Sequence, residues 1–137
     1  MYKYICILAL TIFAGFVSCR KPPKFSEDNS LKIAFSTDTV TFDTVFTTIG
    51  SSTRQLMIYN DNTENLKISS IRLEGGNQSQ FSINVDGQSG YKFSDLEIYA
   101  KDSIYVFVRV TINPNDLNNP FFVEDKLIFE TNNNKQN

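Results

Sequence analysis

From Leu31 onward the chain is a succession of short β-branched and aromatic runs separated by Asn, Asp, Gly and Ser, and no stretch holds a 3.6-residue apolar period over three turns. That pattern restricts the fold to strands joined by tight turns, as in an all-β sandwich or barrel. The clearest run is 103–113. Ile104, Val106, Val108, Val110 and Ile112 fall on one side of an extended chain, with Tyr105, Phe107, Arg109 and Thr111 on the other. The two aromatic residues predict a strand covered on both faces at its start. Further strands are expected over 32–36, 39–46, 54–60, 66–74, 80–85, 96–100 and 124–131. In the run Leu66, Ile68, Ile71, Leu73 the apolar phase flips across Ser69-Ser70, which predicts a β-bulge or a strand that changes sheets. Twelve phenylalanines supply core bulk that needs no buried hydrogen-bond partner.

The N-terminus follows a different rule. A single lysine in Met1-Tyr2-Lys3-Tyr4 precedes an almost wholly apolar stretch from Ile5 to Val17, shorter than the ~20 residues a helix needs to span a bilayer. It reads as a signal peptide over 1–18. Phe16-Val17-Ser18-Cys19 resembles a bacterial lipobox, in which a small residue precedes a cysteine that is acylated and becomes the mature N-terminus. An ordinary cleavage site would leave Cys19 an odd thiol in an exported protein, because Cys6 lies in the removed segment. Cys19 is therefore the expected lipidation site, each buried CH₂ of its acyl chains contributing ~0.8 kcal/mol to membrane attachment. Residues 19–31, with paired prolines and mixed charge, read as a tether, and 32–137 as one domain.

Composition removes several function classes. The chain of 137 residues has no histidine, which excludes Ser-His-Asp and Cys-His catalysis and His-ligated zinc. A net charge of −2 gives no basic footprint for nucleic acid. Ser89-Gly90-Tyr91-Lys92 matches the S-x-x-K of serine β-lactam-binding enzymes, but it lies in a Gly-rich turn and no K-T-G follows. The oxygen-rich runs 60–65 and 113–119 read as hairpin turns, since Asn65 stands where an EF-hand loop needs Gly. Gly75-Gly76-Asn77 reads as a turn and not a phosphate cradle. A carboxylate pair such as Asp38 with Asp43 would have to face across a cleft to hydrolyse a glycoside. No catalytic residue, metal ligand or cofactor is expected.

Several motifs occur in an order that resembles the abnormal-spindle/hydin-like immunoglobulin domains. They are Phe42-Asp43-Thr44-Val45, then Leu56-Met57-Ile58-Tyr59-Asn60, Leu66-Lys67-Ile68 and Phe81-Ser82-Ile83. The turn Ala100-Lys101-Asp102-Ser103 follows, then Val106-Phe107-Val108 leading to Pro114, and Leu127-Ile128-Phe129-Glu130-Thr131-Asn132. The resemblance spans about 35–134 and implies an immunoglobulin-like β-sandwich. Asp43 replaces a usual glycine, and Ala100-Lys101 a usual Pro-Gly. The family pattern also expects a strand after Asn132, where this sequence offers Asn133-Asn134-Lys135-Gln136-Asn137. The chain is therefore expected to lack its last strand, either as the N-terminal fragment of a longer lipoprotein or as a domain that completes its sheet with a partner strand.

Asp38-Thr39-Val40, Asp43-Thr44-Val45 and Asp102-Ser103-Ile104 each resemble the D-[ST]-aliphatic O-glycosylation sequon of exported Bacteroidetes proteins, so Thr39, Thr44 and Ser103 are candidate glycan carriers that must be exposed. Turn-to-strand composition yields the same triplets. Surface-exported lipoproteins of that group carry acidic residues right after the cysteine. Here Arg20, Lys21 and Lys24 come first, which leaves the periplasmic and surface faces of the outer membrane both open. The sequence thus predicts a non-catalytic, lipid-anchored envelope module in the outer membrane of a Gram-negative bacterium, binding protein or glycan through end loops or an open sheet edge. The alternative is an N-terminal accessory domain of a larger envelope protein or polysaccharide-acting enzyme.

Overall fold

The computed structural model describes residues 21–43, 53–112 and 122–137. Among these it has nine strands: β1 (Ala34–Phe35), β2 (Arg54–Tyr59), β3 (Leu66–Leu73), β4 (Phe81–Val85), β5 (Gln88–Gly90), β6 (Lys92–Ile98), β7 (Ser103–Val110), β8 (Leu127–Thr131) and β9 (Asn134–Gln136). Pairing is antiparallel throughout, in a five-stranded sheet ordered β1-β2-β7-β4-β5 and a four-stranded sheet ordered β6-β3-β8-β9. The fold is all-β, with no α-helix among the described residues, and is compatible with a β-sandwich.

Period-two alternation explains the packing. Ile58, Ile83 and Val106 of the five-stranded sheet join Leu66, Ile68, Ile71 and Ile98 of the four-stranded sheet in one apolar cluster, each at most 1% exposed. Phe35 and Phe129 meet across the two sheets with ring centroids 4.8 Å apart. Burying each such side chain contributes about 1.5–3 kcal/mol.

The phase flip at Ser69-Ser70 is a bulge. β3 pairs Ile68 with Thr131 and Ser70 with Glu130, so Ser69 is the extra residue against β8. Ser69 is thereby exposed and Ser70, opposite Glu130, is buried outside the apolar cluster, while Ile71 and Leu73 return to that cluster. β6 carries a matching irregularity, since Asp95, opposite Ser69, has φ 57° and separates Phe93 from Leu96 on the inner face. Two strands side by side thus shift phase together, and their ladder keeps one register.

The structure differs from the sequence reading in several places, the first being β5, which forms over Gln88–Gly90 where a Gly-rich turn is expected. Residues 39–43 form no strand: the Thr37 hydroxyl accepts from the Thr39 N–H and donates to the Thr39 carbonyl, a local turn that competes with a ladder. Val40 and Phe42 still pack on the core from this irregular segment; the remainder of the expected 39–46 strand lies outside the described residues. Residues 99–102 are a turn, and β6 starts at Lys92 instead of residue 96. A strand does follow Asn132. Asn132 and Asn133, at φ 49° and 61°, form a two-residue hairpin turn that sends β9 back along β8, the left-handed pair that asparagine tolerates. Finally, Tyr105 and Phe107 are not covered: they remain 45% and 38% exposed.

Residues 24–33 lie against the domain. Phe25 bridges to Asn65 and packs on Tyr99 at 6.1 Å, and the Ser26 N–H donates to the Asn65 carbonyl. Further on, side-chain amides stand in for a strand partner. Gln136 donates to the Ile33 carbonyl at 3.0 Å and accepts from its N–H at 3.3 Å, while Asn134 donates to the Asn29 carbonyl and Asn132 to that of Asp28.

Candidate ligand-binding face

The sequence-derived site residues do not converge. Cys19 and Thr44 lie outside the described residues. Thr39 is exposed in the irregular segment after β1, whereas Ser103 opens β7, is half-buried and has its N–H on the Asp102 carboxylate at 2.7 Å. Of the two, Thr39 meets the exposure a glycan carrier requires.

The other motifs resolve into structure. Ser89 lies in β5 and Lys92 begins β6, and the Ser89 hydroxyl accepts from Asn84 Nδ2 at 3.1 Å. This is extended backbone, not the helical turn that the S-x-x-K chemistry needs. The 60–65 run is a knot built on Asn60, which is fully buried. Its Nδ2 donates to the carbonyls of Glu64, Ile98 and Tyr99, and its Oδ1 accepts from Asn62, joining the β2–β3 turn to the β6–β7 turn. The Gly75 N–H donates to the Asp125 carboxylate at 3.1 Å, and the Ser79 hydroxyl donates to the same group. A carboxylate therefore occupies the place where a phosphate would sit. Asp43 is paired with Arg54 at 3.1 Å. Among the described residues no group of three or more His, Cys, Asp or Glu side chains is placed to hold a metal ion.

What the structure assembles instead is an exposed aromatic surface on the outer side of the five-stranded sheet. The odd positions of β7 project there, and the Tyr105 and Phe107 rings lie 6.2 Å apart with planes within 21° of parallel. Register sets their neighbours. Met57 stands opposite Tyr105 on β2, while Phe107 is flanked by Gln55 on β2 and Asn84 on β4. Tyr59 extends the row, its hydroxyl donating to Met57 Sδ at 3.4 Å. Arg109, opposite Ser82, is the one charged residue that the strands put on this face among those described. The signal is present in the sequence as two aromatics on the non-core phase of the clearest strand, a pattern that predicts cover on both faces equally well.

A shallow groove of about 420 Å³ adjoins the face at the start of β2, lined by Thr37, Thr39, Thr41, Thr53, Arg54 and Gln55 with Val40. Gln55 belongs to both.

Comparison with family models, with curated proteins and with solved structures finds no match to this chain.

Proposed function

We propose that this protein is a non-catalytic, lipid-anchored module of a bacterial outer membrane that binds a partner through the outer face of its five-stranded sheet. The observation that carries the binding role is that face. The core is complete without Tyr105 and Phe107, so the rings serve no packing need that would keep them at the surface, and exposed apolar patches with polar rims mark interaction sites.

Anchoring rests on the lipobox-like Phe16-Val17-Ser18-Cys19, and the docked segment that begins at residue 24 limits how far from the domain such an anchor would lie. Five residues lie between Cys19 and Phe25, a span of at most about 20 Å. An acylated Cys19 would thus hold the Asn60 end of the domain near the headgroups and turn the other end away. An immunoglobulin-like sandwich is the finer reading of the fold. It is favoured by the turn at 99–102, where the Asp102 N–H donates to the Tyr99 carbonyl and Lys101 takes φ 62°, the backbone that a Pro-Gly pair prefers.

The test is Cys19→Ser in the producing cell. The native chain is expected in the membrane fraction with a mass starting at Cys19 and raised by acyl chains, and the variant in the soluble fraction. A variant that still enters the detergent phase overturns the anchoring.

A further inference from the structure

We infer that the outer face of the five-stranded sheet is a binding site for a neutral glycan. This deepens the binding-module reading and rests on it. The ring pair supplies the first element. The faces of Tyr and Phe carry negative quadrupole density, which attracts the polarised C–H groups on the flat side of a pyranose. Two half-exposed rings, nearly parallel with centroids 6.2 Å apart, give an adjacent apolar pair on the scale of a sugar unit.

The polar groups around the rings are the second element. Gln55 and Asn84 bracket Phe107 from the two neighbouring strands. A side-chain amide both donates and accepts, so it matches a hydroxyl, which does the same. The threonine-lined groove continues from Gln55 beyond the rings and extends the polar surface far enough for further sugar units. Its one cation, Arg54, is paired with Asp43.

Charge and area reject the other occupants. Binding of nucleic acid is driven by cations on phosphate, and this face offers Arg109 alone in a chain of net charge −2. A second protein would need about 800 Å² from each side of a stable interface. At 45% and 38% exposure, two rings of this size present on the order of 200 Å², and apart from Met57 opposite Tyr105 their cross-strand neighbours are the amides of Gln55 and Asn84, where a protein partner wants a wide apolar centre. A glycan has the opposite requirement: a few stacked rings and many directional hydrogen bonds.

The experiment uses the full chain purified from its membrane in detergent, with a printed array of neutral oligosaccharides. Affinity electrophoresis follows in gels containing soluble β-glucan, xylan, galactomannan or starch. Retention by at least one neutral polymer is expected. Tyr105→Thr with Phe107→Thr should weaken it tenfold or more, Gln55→Ala or Asn84→Ala several-fold, and Lys67→Ala on the opposite sheet should leave it unchanged. Threonine keeps the strand preference of the site, and an unaltered circular dichroism melt for the double variant separates lost binding from lost folding. Equal retention of the double variant, or retention on heparin alone, overturns the inference. A chain that binds no glycan but sediments as a dimer dissociated by the double variant also overturns it, while leaving the binding-module reading standing. A monomer that binds no glycan overturns both.

Discussion

The outer faces of the two sheets, built on one core, carry opposite chemistry. On the four-stranded sheet Lys67 stands opposite Glu97 and reaches Asp95 at 3.8 Å, Arg72 reaches Glu130 at 3.7 Å, and Glu130 stands opposite Lys135. On the five-stranded sheet the equivalent positions hold Tyr105, Phe107, Met57, Gln55 and Asn84. Exposed ion pairs contribute at most about 1 kcal/mol, so the charged face is not there for stability. It keeps a sheet surface soluble and discourages association. The aromatic face lacks that protection. The difference teaches that alternation dictates which residues enter the core but leaves the outward phase free, and it is in that free phase that function is written.

The comparison requires one shared core, and that is where the largest effects lie. Ile58 and Ile71, one from each sheet and both fully buried, should each lose about 2–5 kcal/mol of stability on change to alanine. Urea unfolding followed by circular dichroism measures this. A cost well under 1 kcal/mol at either position would mean that the sheets do not share a core, and the contrast of outer faces would lose its frame.

Much of this frame was legible in the sequence. β2, β3, β4, β7 and β8 follow from alternation alone, and the Ser69-Ser70 bulge follows from a break in it. β6 was half hidden for the same reason: the phase shift at Asp95 makes Lys92 to Ser94 look unrelated to the residues after it. The 39–43 segment alternates like a strand, yet Thr37 diverts its backbone, a local competition that composition does not reveal. β9 escaped because its polar residues have no alternation to read, and the Asn132-Asn133 turn is its main sign. Asn60 shows the limit most sharply. In sequence it is one polar residue in a polar loop, and only the meeting of two distant turns makes it a fully buried hub for three carbonyls. The aromatic face was visible as residues and invisible as a site, because sequence does not show whether a second layer covers the outward phase.

A smaller effect separates function from packing on that face. If Tyr105 and Phe107 are held for a ligand, Tyr105→Thr with Phe107→Thr should lower stability by no more than the ~0.5–1.5 kcal/mol of an aromatic pair, because half-exposed rings give up little buried area. A structural role would cost about 3–5 kcal/mol, as for a buried phenylalanine. Denaturant midpoints at constant m-value decide between them.

The smallest effect tests the border of the charged sheet, where residues 28–33 run beside the β8–β9 hairpin. Asp28 sits in that segment, its Oδ1 accepting from the Ser30 N–H at 2.8 Å and its carbonyl accepting from Asn132. The hydrogen bonds from Ser30 favour the ionised carboxyl and hold Asp28 below the ordinary carboxylate range. A lowered folded-state value means that the linked stability is fully present above the unfolded-state value and is lost as pH falls through the lowered one. With the side chain fully exposed, solvent screening keeps this contribution slight, so the sharper readout is the titration itself. NMR of the side-chain carboxyl should give Asp28 a depressed midpoint, and Ser30→Pro, which removes the donating N–H, should return it to the ordinary range. An ordinary midpoint in the native chain would mean that the turn at Asp28 is not formed. The segment would then border the charged sheet without the local structure that aligns Asp28 with Asn132.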